Sequence, residues 1–544
     1  MMKLPESKRR TYIRGAAILG ATMVAAKILS LLFRLPINNI LGDEGAGHFA
    51  ITYQIYTVLL AVSTSGIPVA LSRLISTAVS TGRPRQAKRY FSMALLSFTL
   101  LGIVVSLLMF FFADNLAMLM HDKYAAPGIR TLAPAVLFVC MVSVYEGYGQ
   151  GHNDMLPTSL KQISEVLGKV IIGLAAAFWL YANKYDSPVI AAGAIIGTPI
   201  GLCIALLLLI AHKRKTDNAL PANIVIYQTD KPDGKLATLK GIFKVSVPIT
   251  MSAAFMSILT LIDTIVVRNR LHTGAGFSLE TVDVLFGVYA KGQSLRSLPS
   301  VLVVPVAISI IPIIAAALSN HRQSAAKAVM ETSLKLTNVI SMPMGLGMCV
   351  LAYPIFNVLY PISNENGPAC LSILGLASYF VCLQLMTTAI LHANGQERPP
   401  VLSFLFGGAA QIIVDYLLVG NPAIGIVGSP VGTLTCYLLI SVLNILFIMQ
   451  KVKSRPEFSK AMIKPALCCL VMAVTAKSVY ELLYRATHSL IRTGYWRMAV
   501  CLFAAILIAA IVYVILVIAT KTVTREDMKL LPRGEKIADM LRMQ

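Results

Sequence analysis

The sequence has 544 residues, of which 56% are hydrophobic and 13% charged, and its mean hydropathy is +0.73. Long apolar runs recur from end to end, which excludes an ordinary soluble multidomain chain. The net charge of +22 does not indicate nucleic-acid binding, because no basic patch with interleaved aromatic residues is present in the sequence. The composition predicts an all-α integral membrane protein, since helices satisfy their own backbone polar groups in lipid.

Apolar windows of about 20 residues, long enough to span a bilayer, predict about fourteen transmembrane helices. The windows lie at 15–38, 50–72, 91–113, 131–149, 162–181, 188–211, 245–267, 284–317, 334–359, 369–391, 401–419, 424–449, 462–483 and 498–520. The first window contains Lys27 and Arg34 and has no small-residue cleavage site, so we interpret it as a retained helix and not a signal peptide.

Lysine and arginine concentrate in alternate loops. The loops after predicted helices 2, 6 and 12 contain Arg73, Arg83, Arg85, Lys88, Arg89, Lys213, Arg214, Lys215, Lys231, Lys235, Lys240, Lys244, Lys451, Lys453, Arg455, Lys460 and Lys464. The opposite loops at 42–45 and 361–367 contain none. Since basic loops stay inside, we predict a multi-pass protein of the cytoplasmic membrane with both termini in the cytoplasm.

A repeat divides the chain. The segment Pro68–Ser72 recurs as Pro305–Ser309, and Arg85–Ala87 recurs as Arg322–Ser324, both 237 residues later. This offset predicts two six-helix lobes related by a parallel repeat, with a substrate site between them. The predicted divisions are an N-terminal lobe at 1–212, a cytoplasmic linker at 213–244, a C-terminal lobe at 245–450, two further helices at 451–520 and a cytoplasmic tail at 521–544.

Several cations fall inside the predicted spans, where a charge at the bilayer centre costs about 2.5–3.5 kcal/mol and needs a partner or a watery cavity. Lys27 and Arg34 are two helical turns apart and therefore share a face. We predict a binding site for an anionic substrate formed by Lys27, Arg34, Arg73, Arg268, Lys291 and Arg296. The alternative is that Lys27 pairs with a carboxylate such as Glu146 and that the arginines extend to the membrane interfaces.

Acidic residues are fewer inside the spans. Glu146, Asp263 and Asp415 are candidates for coupling to a proton or a sodium ion, although each could equally be a satisfied polar residue. Lys161, Glu165 and Lys169 are spaced four residues apart, so we predict that this ladder neutralises itself in a structural role.

Motifs of catalysis are missing from the sequence: there is no GxSxG, Walker A or HExxH pattern, and the nine cysteines form no CxxC pair. We therefore expect no enzymatic activity, no cofactor and no metal. Transport would be driven by gradients.

Four consecutive blocks near the N-terminus carry a family resemblance: 27–36 (KILSLLFRLP), 41–49 (LGDEGAGHF), 53–56 (YQIY) and 66–73 (GIPVALSR). With weaker matches at 149–158, 246–249 and 387–391, they resemble the stage V sporulation protein B branch of the multidrug/oligosaccharidyl-lipid/polysaccharide (MOP) exporter superfamily. The resemblance implies two six-helix lobes plus two C-terminal helices that work by alternating access, and it covers most of the chain.

The resemblance also implies a function, namely a flippase for an undecaprenyl-diphosphate-linked glycan such as the peptidoglycan precursor lipid II, in cell wall or spore cortex synthesis. Teichoic-acid and capsular lipid intermediates fit the same residues, as do vegetative and sporulation roles. A multidrug or cation antiporter of the same superfamily and a membrane glycan polymerase are the alternative functions. We expect a monomer whose partners are the lipid-linked glycan, the bilayer and a coupling ion.

Overall fold

The computed structural model describes residues 6–64, 66–152, 154–219, 231–319, 321–487, 494–520 and 522. Every regular element in those ranges is a helix, which confirms the predicted all-α class. Three features of the sequence prediction lie outside the described part: residues 220–230 of the linker, the tail apart from Thr522, and the side chain of Lys27.

Helices α1 to α10 run from the N-terminus to the middle of the chain. They are α1 Glu6–Thr64, α2 Ile67–Ser80, α3 Pro84–Phe111, α4 Ala113–Leu119, α5 Ala126–Gly151, α6 Leu156–Leu167, α7 Leu174–Ala182, α8 Ser187–Ile195, α9 Gly197–Ala219 and α10 Lys235–Asn269. A π-helical turn, Gly168–Gly173, joins α6 to α7.

Helices α11 to α19 follow. They are α11 Leu279–Arg296, α12 Leu298–Ser319, α13 Gln323–Val350, α14 Ala352–Leu359, α15 Asn366–Ala393, α16 Arg398–Val419, α17 Gly428–Lys451, α18 Phe458–Ala486 and α19 Gly494–Ala519.

The described helices are long and apolar, as a membrane protein requires. Among the described residues, 11 helical segments could cross a membrane by length and composition, or 12 if the bent pair of α13 and α14 counts as one span. These numbers bear out a multi-pass protein, and the count of fourteen stays a prediction. The predicted window at 334–359 is not one straight helix, because α13 and α14 meet at a bend of 81°.

Breaks in the first helices occur where the sequence weakens helical geometry. The residue Gly42 interrupts α1 with a φ of 69°, which glycine adopts without the steric cost of a Cβ. The predicted window at 50–72 is broken as well, because α1 ends at Thr64 and α2 begins at Ile67, one residue before Pro68. Proline is tolerated there because the first turn of a helix needs no backbone donor.

The division of the chain differs from the one expected from the repeat. The chain separates into two compact units, Met1–Arg268 and Asn269–Gln544. Helix α10, which the repeat assigns to the second lobe, therefore packs with the first unit. The predicted linker at 213–244 is also shorter than expected, because α9 continues to Ala219 and α10 begins at Lys235.

Each unit has its own apolar core. In the first unit, α2, α3, α5 and α10 bury a cluster that includes Ile67, Phe91, Val144 and Ile242. In the second unit, α12, α13, α15 and α17 bury another, which includes Met330 and Met386. The two C-terminal helices α18 and α19 pack against α13 in a separate cluster. Within each unit the helices are held in place by packed side chains, so polar groups between the helices of that unit have fixed positions.

Candidate substrate-binding site

A group of paired charges lies inside the first unit, between α1, α5 and α6. The Lys161 Nζ is 3.3 Å from Glu146 Oε2, and the Lys169 Nζ is 2.7 Å from Glu165 Oε1. We name these four residues the interior ion-pair cluster. The ladder on α6 therefore does not neutralise itself alone, because Lys161 reaches across to α5. Glu146, a candidate for ion coupling, is therefore paired with a lysine.

Aromatic and hydroxyl groups of α1 and α9 border this cluster. The ammonium of Lys169 lies 5.5 Å from the centre of the Tyr53 ring, a distance at which a cation and a π system attract. The Tyr53 hydroxyl is in turn 2.7 Å from Thr198 Oγ1. Tyr53 belongs to a block that carries the family resemblance, but nothing in its spacing indicated a partner 145 residues away.

The π-helical turn shapes the end of the cluster that contains Lys169. Insertions of this kind in an α-helix often occur at functional sites. Here the turn coincides with close backbone packing, because a Cβ on Gly168 would overlap the Gly197 carbonyl and lie 2.6 Å from the Gly201 Cα. Small residues allow helices to approach closely in membranes. The contact therefore sets the position of Lys169 through its immediate neighbour.

Arg34 lies near this cluster on α1. Its side chain is exposed, and it is within electrostatic range of Lys169. The cations Arg34, Lys161 and Lys169 thus outnumber the carboxylates Glu146 and Glu165 in this part of the first unit. An exposed guanidinium beside two ion pairs, each of which contains a lysine, is suited to an anionic ligand.

The predicted site residue Arg268 has a different environment. Its side chain is fully buried in the first unit, where Nε donates to the Met120 carbonyl and Nη2 donates to the His121 carbonyl, both at 2.7 Å. Both carbonyls belong to the segment that follows α4. Arg268 therefore holds this loop, and Asp263, five residues earlier on α10, is also buried.

A second buried pair fixes the same loop, and the sequence analysis missed it. The Asp122 carboxylate accepts from the Tyr124 amide at 3.0 Å and lies 2.8 Å from His48 Nδ1. His48 and Asp122 are 1% and 2% exposed. The only hint in the sequence was that His48 lies in a block of the family resemblance. The loop is thus fixed from α1 and from α10.

Arg73, the predicted site residue on α2, is at the surface. Arg73 is exposed, one and a half turns after the break that precedes Ile67. The backbone amide of Gly66 at that break donates to Thr250 Oγ1 of α10 at 3.1 Å. The break is therefore fixed against α10. Because Arg73 lies shortly after the break on α2, this contact also helps to set the position of Arg73.

In the second unit, the predicted cations both lie on α11. Lys291 is 1% exposed, and its ammonium is 5.2 Å from the centre of the Tyr360 ring. The Arg296 guanidinium donates to Gln293 Oε1 and lies 5.4 Å from the Tyr437 ring. Lys291 and Arg296 thus each contact an aromatic ring, and both are positioned by protein groups.

The third predicted ion-coupling residue, Asp415, is fully buried in α16 of the second unit. It is covered by α17, where a Cβ on Gly432 would overlap the Asp415 carboxylate. A side chain larger than hydrogen at position 432 would therefore displace the carboxylate.

Comparisons with known proteins agree with this architecture. Residues 12–318 match the family described as polysaccharide biosynthesis protein. The membrane protein YabM of Bacillus subtilis (strain 168) is 27% identical over 98% of this chain and 97% of its own length. Stage V sporulation protein B of the same organism is 22% identical over 96% of this chain and 98% of its own length.

Solved structures share the fold. A structure of the lipid II flippase MurJ in an inward closed conformation has a TM-score of 0.61 at 18% identity, covering 91% of this chain and 97% of that one. An inward-facing multidrug resistance MATE transporter of the MOP superfamily also has a TM-score of 0.61, at 15% identity over 79% of this chain and 97% of that one.

The fold is therefore that of MOP superfamily transporters, and the protein is a multi-pass membrane protein. The chain belongs to the polysaccharide biosynthesis protein family, which confirms the resemblance seen in the N-terminal blocks.

Proposed function

We propose that the protein is a flippase that moves an undecaprenyl-diphosphate-linked glycan, lipid II or a related intermediate, across the cytoplasmic membrane by alternating access. The observation that carries the proposal is the exposed Arg34 beside the interior ion-pair cluster. A diphosphate headgroup needs cations that can exchange their partners, and a guanidinium binds phosphate oxygens through two parallel hydrogen bonds. The likeness to the lipid II flippase MurJ supports the same substrate class.

The residues proposed to bind the diphosphate are Lys27, Arg34, Arg73, Lys291 and Arg296, as predicted from the sequence, together with Lys169 of the interior ion-pair cluster. We assign Arg268 a structural role, because its guanidinium is bound to two loop carbonyls. Asp263 and Asp415 remain the proposed carboxylates for coupling to a proton or a sodium ion.

A multidrug antiporter is the second candidate, and the charges argue against it. An organic cation would need an accessible carboxylate, whereas Glu146 and Glu165 are each engaged by a lysine. The interior ion-pair cluster together with Arg34 therefore suits an anionic ligand better than a cationic one.

Complementation tests the proposal directly. A bacterial strain depleted of all its lipid II flippases should resume growth when this protein is expressed, and purified protein in proteoliposomes should translocate lipid II. Protein that is present in the membrane and translocates a related undecaprenyl-diphosphate-linked glycan in proteoliposomes, but neither rescues growth nor translocates lipid II, would indicate that related glycan as the substrate. Translocation of none of these lipids would refute the flippase proposal.

We predict opposite effects for the two members of one ion pair. Glu165→Gln should tighten binding of undecaprenyl diphosphate about tenfold, because Lys169 then loses a competitor for the phosphate. Lys169→Met should weaken binding by a similar factor. The measurement is a binding titration in detergent, with Glu331→Gln as control, since Glu331 pairs with Lys327 at the same spacing on α13, where both side chains are about one-third exposed. Weaker binding in both cluster variants would assign the pair a purely structural role.

Topology gives an independent prediction. In a cysteine-free background, a cysteine replacing the exposed Lys231 should react with an impermeant maleimide only after the cells are permeabilised. A cysteine replacing Ile362, which is 91% exposed in a loop predicted to face outward, is the control and should react in intact cells. Labelling of position 231 in intact cells would reverse the proposed orientation.

A further inference from the structure

A basic pocket lies at the beginning of α3, and none of its lining residues belongs to the proposed substrate site. Its volume is about 360 Å³, and its lining includes Arg85, Lys88, Arg89 and Lys235 together with Ser92 and Met93. Among the described residues that line it, none is a carboxylate. The flippase proposal makes no use of these four cations.

The wall of this pocket is ordered by specific hydrogen bonds. The segment before α10 is bound to α3, where Arg89 donates to the Asp233 carbonyl and the buried Gln86 side chain accepts from the Asp233 amide at 2.7 Å. Arg83 pairs with the Asp233 carboxylate at 2.8 Å. These contacts hold the segment that leads to Lys235 against the beginning of α3, so the wall of the pocket has a defined structure.

The same face of α3 continues from the pocket as an apolar stripe. Leu96, Leu100, Ile103 and Leu107 follow Arg85, Arg89 and Ser92 at helical spacing, so all of them lie on one side of the helix. The four apolar side chains are 58%, 56%, 38% and 50% exposed. Helix α3 is one of the segments able to cross a membrane. Positive charge at one end thus adjoins a long exposed apolar surface.

We propose that this pocket binds the phosphate of an anionic phospholipid, whose acyl chains lie along the stripe of α3. Basic pockets beside transmembrane helices on the cytoplasmic side recognise anionic headgroups. A soluble anion would use the cations but not the stripe, whereas a phospholipid uses both. The occupant that fits is therefore a lipid such as phosphatidylglycerol, and its site is distinct from that of the transported substrate.

The test compares lipids on the full-length protein. In detergent, titration with phosphatidylglycerol should raise the thermal unfolding midpoint at concentrations at least tenfold lower than phosphatidylcholine, and native mass spectrometry should detect one retained phosphatidylglycerol. The triple variant Arg85→Gln, Lys88→Gln and Lys235→Gln should lose most of this preference. Arg89 and Gln86 stay unchanged because they hold the wall.

A charge-matched control is the triple variant Lys231→Gln, Lys240→Gln and Lys244→Gln, which alters exposed lysines outside the pocket lining and should keep the wild-type preference. Leu96→Ser with Leu100→Ser should weaken phosphatidylglycerol binding while leaving the pocket intact. Equal preference in the pocket and control variants would overturn the proposal. The proposal would also be overturned, in favour of a soluble anion, if inorganic phosphate stabilised the protein as strongly as phosphatidylglycerol does.

Discussion

Arg34→Ala should abolish lipid II translocation while protein level remains nearly normal, and Arg34→Lys should restore only part of the rate. A guanidinium presents two parallel donors to a diphosphate, whereas an ammonium is a point charge. Loss of a desolvated charge-assisted contact costs about 2–5 kcal/mol, so substrate binding should fall by tens to thousands of fold. The exposure of Arg34 implies that the change leaves the packing of the first unit intact.

The measurement is lipid II translocation in proteoliposomes with the variants reconstituted at equal density. Arg130→Ala is the control, because Arg130 is an exposed arginine of the first unit engaged in a surface ion pair with Asp114. Its transport rate should stay close to that of the wild type. Equal rates for wild type, Arg34→Ala and Arg34→Lys would remove Arg34 from the substrate site and leave the cationic-site proposal without its main residue.

Gly168→Ala is expected to have the largest effect on folding. The added methyl group would meet the backbone of α9 at Gly197 and Gly201, and backbone cannot move aside as a side chain can. Overpacking of this kind costs about 1–3 kcal/mol, and the helices must separate to relieve it. We expect a markedly lower thermal unfolding midpoint and less monodisperse protein in size-exclusion chromatography.

Gly347→Ala provides the contrast within one chain. A Cβ at this helical position would meet no atom within 4 Å. Replacement of glycine by alanine at a compatible position stabilises by about 0.4–1 kcal/mol, since the unfolded chain loses freedom. If Gly168→Ala and Gly347→Ala unfold at the same temperature, the close contact between the π-helical turn and α9 is absent.

The sequence predicted the class of fold because its strongest signal, long apolar runs, depends only on local composition. The break before α2 has a local cause as well, since Gly66 and Pro68 act on their own backbone. The partners of charged residues were harder to predict from the sequence. The spacing of the ladder on α6 indicated the pairing of Glu165 with Lys169, but the pairing of Lys161 with Glu146 depends on how α5 and α6 pack.

The environment of Arg268 could not be predicted for a related reason. A charged residue near a helix end looks the same in sequence whether it faces a cavity or a loop carbonyl. The repeat indicated that α10 begins a second lobe, whereas its side chains contact the first unit. Sequence similarity between two halves reflects how the chain arose, whereas packing depends on which helix surfaces come into contact.

The bonds from Arg268 to the loop after α4 have a consequence for biosynthesis. Arg268 lies 148 residues downstream of Met120, so the loop carbonyls have no guanidinium to bind until α10 has been synthesised. At about 5–20 residues per second, that interval lasts about 7–30 s. During it, α1 to α9 can enter the membrane while this segment lacks the bonds to Arg268 and keeps the contact between Asp122 and His48. A chain arrested before position 268 should therefore leave the segment open to protease, and release of the arrest should protect it.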